Sequence, residues 1–173
     1  MVVWMIGLSR AGKTTLSKLL HKELKLKVDN LVLIDGDVIR DLFGNDVDHS
    51  IEGRRKNAER LSQLSKFLSD QNIHVIAAVL SIFPQWQDWN RLHIKDYREI
   101  YIKVPIDVLE TRDVNQLYSQ AKIGKIKNVV GVDIPFPEPK NSDLIIENNI
   151  TTDDFSEILN KIMKIDVIRK IKK

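Results

Sequence analysis

Residues 2–15, VVWMIGLSRAGKTT, constrain this chain more than any other stretch. An apolar run ends at Gly7, four residues follow, and Gly12-Lys13-Thr14 completes the spacing G-x-x-x-x-G-K-[ST] of a phosphate-binding loop. The pattern requires a buried strand before it and a helix after it. Residues 2–8 read as that strand. Lys13 to about Leu26 reads as the helix, with Leu16, Leu19, Leu20 and Leu24 at helical spacing. Gly7 lets the backbone leave the strand, and Gly12 lets the main chain approach phosphate oxygens with no Cβ in the way. Amides at the helix start then point at the anion. Lys13 can reach the β- and γ-phosphates, and the Thr14 hydroxyl can ligate Mg²⁺. Gly7, Ser9, Arg10, Ala11, Gly12, Lys13, Thr14 and Thr15 together form the expected ATP-binding loop, where Arg10 is either a solvated charge or a phosphate contact.

Further along, apolar runs and helical patterns alternate. Strands are read at 30–35, 73–80 (a central strand, apolar throughout), 99–104 and 143–148. Helices are read at 52–70, with Leu61, Leu64, Phe67 and Leu68 on one face, and at 106–111, where Pro105 starts the turn. A last helix is read from Thr152, where Asp153 and Asp154 favour the first turn. Such alternation predicts an α/β fold, a five-stranded parallel sheet flanked by helices, in one domain over 1–173. Residues 115–140 break the rhythm and contain three prolines. A stretch so long with little core-forming pattern reads as a lid within the domain.

Composition narrows the function classes. There is no cysteine, so disulfides, thiolate metal sites and a cysteine nucleophile are excluded. The four histidines show no metal-ligand spacing; His74 and Trp4, both in strands, read as structural. No apolar run is long enough to cross a bilayer and no leader pattern opens the chain, so a cytoplasmic protein with no membrane partner is expected. Net charge is +3, but from Lys161 onward there are six basic residues and one acidic, so the rest sits near −2. The basic character belongs to the last helix, where Phe155, Ile158, Leu159 and Ile162 keep core spacing. No nucleic-acid partner is expected.

The second chemical constellation is LIDGDVIR, 33–40. It closes a strand at the carboxyl edge of the sheet, where ligands bind in parallel α/β folds. Asp35 and Asp37 therefore lie near the phosphate loop. A carboxylate there can take the proton of an attacking hydroxyl, or cap a helix in a plain turn. Arg40, one turn on, can grip a phosphate. Ser81 stands after the 73–80 strand, where many phosphate-loop proteins place an acid.

GLSRAGKTT, LIDGDVIR, EGRRKNAER (52–60) and ETRDVNQLYSQAKIGKIKNVVGVDIPFPEP (110–139) resemble, in order, the motifs of adenylylsulfate kinases. The resemblance implies a nucleotide-kinase fold, often dimeric. It also implies transfer of the ATP γ-phosphoryl group, from MgATP, to the ribose 3′-hydroxyl of a small-molecule nucleotide acceptor, adenosine 5′-phosphosulfate. By resemblance Lys13 stabilises the transferring group and Asp35 is the base. Asp37, Arg40, Arg54 and Asn57 face the acceptor, with Ser81, Ile82 and Phe83 after the 73–80 strand. Arg112 belongs to the lid over ATP.

The chain departs from that pattern on the acceptor side. Two phenylalanines sandwich the acceptor adenine in the family; their positions fall at His49 and Val129. Stacking on each aromatic is worth ~1–3 kcal/mol; histidine can still stack, whereas valine gives little. The family's arginine after the 73–80 strand is missing from SIFPQWQDW, 81–89, where Trp86 and Trp89 appear instead. An aspartate before the helix arginine has become Gly53. Two acceptors therefore stand side by side: adenosine 5′-phosphosulfate, or a different nucleotide such as cytidine diphosphoramidate, used in capsule phosphoramidate synthesis.

Overall fold

In the computed structural model, which describes residues 1–149 and 155–171, five strands form one parallel sheet in the order β2-β3-β1-β4-β5. The strands are β1 (Val2–Ile6), β2 (Leu31–Asp35), β3 (His74–Val79), β4 (Tyr97–Lys103) and β5 (Leu144–Glu147). The helices are α1 (Lys13–Lys25), α2 (Gly36–Leu42), α3 (Ile51–Asp70), α4 (Pro84–His93), α5 (Ile106–Thr111), α6 (Leu117–Lys122), α7 (Ser156–Met163) and α8 (Asp166–Arg169). The expected α/β class and five parallel strands are borne out; β3 is an interior strand, as read, between β2 and β1, and β1 lies at the middle of the sheet.

Strand periodicity divides the core. Alternate residues of β1 point to opposite faces. Val3 and Met5 meet Leu16, Leu20 and Leu24 of α1, together with Ile162 and Ile168. Val2, Trp4 and Ile6 meet Ile39 of α2 and Leu61 of α3. Trp4 is thus core, as read. His74 begins β3, with its Nδ1 3.3 Å from the chain's amino terminus.

Several expectations need correction. Phe67 is 62% exposed, because it lies roughly 120° around the helix from Leu61 at 3.6 residues per turn. α3 instead buries Gly53, Asn57, Ser62 and Ser65 beside Leu61. The 115–140 stretch is not free of core residues: Tyr118, Ala121, Val129, Val130 and Ile134 are all buried. The last helix is two, because Ile165 is extended between α7 and α8. That break sets Asp166 2.7 Å from Arg98 and turns Val167 and Ile168 into the core. The expected start at Thr152 falls outside the described residues.

Candidate active site

The strand order brings the loop after β1 and the end of β2 to the same edge of the sheet. A cavity of about 480 Å³ opens there. Ser9, Arg10, Lys13 and Thr14 line one side, and Asp35, Gly36, Asp37 and Arg40 another. His49, Arg54, Asn57, Ser81 and Val129 complete the set of expected residues in its walls.

The phosphate loop is held from several directions. Gly12 has φ +97°, and a Cβ there would sit 2.8 Å from the Asn148 side-chain nitrogen, so only glycine fits. Asn148, just past β5 and buried, donates to the Ala11 carbonyl at 2.9 Å. Tyr118 of α6 donates its hydroxyl to the Ser9 carbonyl at 2.8 Å. Arg10, also at positive φ, lies 3.8 Å from Asp113, whose other oxygen accepts the Tyr118 amide. Arg10 is therefore more than a solvated charge. Lys13 donates to the Leu8 carbonyl at 2.8 Å. Burial lowers its ammonium to about 8, against the opposing pull of Asp35 and Asp37.

Of the two roles weighed for Asp35, the helix cap is visible directly. Oδ1 of Asp35 accepts the Asp37 amide at 3.0 Å and caps α2, while Oδ2 accepts the Thr14 hydroxyl at 2.8 Å. A carboxylate oxygen and a hydroxyl thus converge beside Lys13. Both are hard oxygen ligands, which suits a Mg²⁺ ion that keeps most of its shell in water and phosphate. Among the described residues no group of three His, Asp or Glu could hold a metal without such help.

Among the residues expected to face the acceptor, Arg40 is buried, and its Nη1 donates to the carbonyls of Val47 and Asp48, each at 2.7 Å. Arg54 donates from Nε to the His49 carbonyl and from Nη2 to the Asn128 carbonyl, both at 2.8 Å. Asn57 donates to the Gly36 carbonyl at 3.2 Å, fixing α3 to the DGD turn. Burial, then the Arg40 and Arg54 guanidiniums, lower the His49 imidazole below its ordinary value. Ser81 accepts from Gln87 at 3.2 Å.

Other expected residues stand back from the cavity. Ile82 and Phe83 are buried against Val130 and Ile134. Gly7, Ala11, Gly12 and Thr15 shape the loop behind its lining. Arg112 ends α5 and donates to the Asn148 carbonyl at 2.8 Å. Neither Trp86 nor Trp89 lines the cavity; Trp89 stacks on His93, ring centres 4.4 Å apart. The tryptophans therefore do not replace the missing phenylalanine pair. Gly53 has a structural reason: a side chain there would collide with the Asp48 carbonyl, which packs on the start of α3.

Sequence reasoning missed Tyr118, Asp113, Asn148 and Asp133. All four touch backbone rather than the cavity. The first, second and fourth lie inside the quoted 110–139 motif, which was the available signal.

The family described as adenylylsulphate kinase matches residues 1–147. A cytidine diphosphoramidate kinase of Campylobacter jejuni is 40% identical over 86% of this chain and 86% of its own. An adenylyl-sulfate kinase of Prochlorococcus marinus is 33% identical over 97% of this chain and 86% of its own. Among solved structures, an APS kinase of Mycobacterium tuberculosis in complex with AMPPNP and APS superposes with a TM-score of 0.82 at 27% identity, covering 94% of each chain. Shikimate kinase of Aquifex aeolicus shares the fold, with a TM-score of 0.58 at 16% identity over 94% of each chain.

Proposed function

Because this chain belongs to the adenylylsulphate kinase family, we propose that it moves the γ-phosphoryl group of MgATP to the ribose 3′-hydroxyl of a cytidine diphosphoramidate-type acceptor. That it is a kinase with a phosphate-loop nucleotide site follows from the family itself. The choice of acceptor rests on one observation: the two positions where the family stacks phenylalanine on adenine carry His49 and Val129, and both line the cavity. The 40% identity to a cytidine diphosphoramidate kinase supports the same choice. Adenosine 5′-phosphosulfate is the second reading, favoured by the 0.82 TM-score to a kinase holding APS.

The chemistry balances as a single displacement. The acceptor 3′-oxygen forms a bond to the γ-phosphorus as the bond from that phosphorus to the β–γ bridging oxygen breaks. ADP leaves, and the hydroxyl proton passes to the Asp35 carboxylate. Transfer of this kind is mostly positioning and charge neutralisation. Loop amides and the Lys13 ammonium hold the phosphate tail. Mg²⁺, with Thr14 Oγ as its protein ligand, would neutralise phosphate charge when bound. Arg40 and Arg54 present cationic charge to the acceptor's phosphoanhydride. Arg112 and residues 115–140 exclude water over ATP.

An acceptor panel tests this. With MgATP, release of ADP is measured against cytidine diphosphoramidate, adenosine 5′-phosphosulfate, CDP and AMP. The expected result is the highest kcat/KM on the cytidine phosphoramidate. Higher kcat/KM on adenosine 5′-phosphosulfate would assign the second reading, and no ADP release with any nucleotide would end both.

A further inference from the structure

Two side chains tie together the segments that carry His49 and Val129, and one of them, Asp133, lies outside the cavity lining. His49 lies between α2 and α3, whereas Val129 lies in the link from α6 to β5. Arg54 spans them, one guanidinium edge on the His49 carbonyl and another nitrogen on the Asn128 carbonyl, both at 2.8 Å. Asp133 then fixes the far wall: its carboxylate accepts the Asn128 amide at 2.6 Å and the Val129 amide at 2.5 Å. The turn it holds is closed on itself, since the amides of Val132, Asp133 and Ile134 all return to the Val129 carbonyl. Its two left-handed positions are Asn128, at φ +65°, and Gly131, at φ +92°, where glycine carries no Cβ penalty. Asp133 is exposed and outside the cavity lining.

Charge-assisted bonds from a carboxylate to two successive amides are strong and directional. Removing them frees Asn128 to leave the left-handed region. The Asn128 carbonyl would then turn away from Arg54, and Val129 would lose its fixed distance from His49. We propose that Asp133 is a positioning residue for acceptor selection: through the Asn128 and Val129 amides, and through Arg54, it sets the gap that admits the acceptor's base. The inference rests on the acceptor reading above only in placing a base in that gap.

Asp133→Ala and Asp133→Asn test it by two independent readouts. In hydrogen exchange, the Asn128 and Val129 amides of Asp133→Ala should exchange at least ~10-fold faster than in wild type. In steady-state kinetics its acceptor KM should rise ~10-fold or more, as expected for loss of a charge-assisted bond, while its ATP KM stays within about 2-fold. The kcat/KM ratio between cytidine and adenosine acceptors should move toward one. Asp133→Asn, which keeps one acceptor oxygen, should fall between, and it carries the same readouts if Asp133→Ala does not fold. Unchanged amide exchange, an unchanged acceptor ratio, or ATP and acceptor KM rising together would overturn the proposal. If wild type transfers phosphate to no acceptor, the functional reading fails while amide exchange still decides whether Asp133 holds the turn.

Discussion

Lys13 is a cation held against a desolvating wall of the cavity. Its ammonium is half-buried behind the Leu8 carbonyl, and burial lowers it to about 8. The charged form binds phosphate, so raising the pH through that value weakens ATP binding in the free protein. Bound triphosphate supplies negative charge and restores the proton. ATP binding at about pH 8.5 should therefore take up protons, by linkage between binding and ionisation. Calorimetry in two buffers of different ionisation enthalpy measures that uptake; equal apparent enthalpies would contradict it. Lys13→Ala should lower kcat by about 10²–10³-fold, the usual loss for one group stabilising transition-state charge. Asn148→Ala acts one contact further out. It leaves the Ala11 carbonyl without its bond, which should cost about 1–3 kcal/mol of stability and raise the ATP KM with little change in the acceptor KM.

Among the elements, the proposed acceptor side is built around the entry to α3. Ser50 caps that helix by accepting the Gly53 amide at 3.1 Å, and Asp48 folds over it. Gly53→Asp, which restores the residue the family pattern has there, should destabilise by about 1–3 kcal/mol as an overpacking change. A melting temperature lower by several degrees is expected, and an unchanged one would show that Asp48 moves aside freely. This neighbourhood was only partly legible. The long periodic α1 and α3 and the strands were readable because apolar period marks them. α4 was not, because the positions it buries are Gln87 and Asn90 rather than apolar side chains. α2 and α6 are only 7 and 6 residues long, too short for a period to show. Phe67 misled for the opposite reason, being apolar but off the buried face.

Across the whole molecule, the order β2-β3-β1-β4-β5 places the loop after β1, the acid end of β2 and Ser81 after β3 at one edge. That convergence was legible, since a parallel sheet aligns its carboxyl ends whatever the loops do. The proposed acceptor gap was less so. His49 and Val129 come from distant segments, and Arg54 and Asp133 join them through backbone atoms that carry no residue signature. The candidate donor half therefore reads from local motifs, whereas the candidate acceptor half depends on tertiary placement. In the proposed reaction Asp35 and the Lys13 loop act on one phosphoryl group. Rapid-quench single turnover of Asp35→Asn, with ATP and the best acceptor saturating, measures whether they do. Transfer should be slowed by at least ~10²-fold, the lower range for a general base, with ATP affinity within about 3-fold of wild type. Transfer within about 2-fold of the wild-type rate would contradict that proposal, because a base that accepts the reacting proton cannot be lost so cheaply.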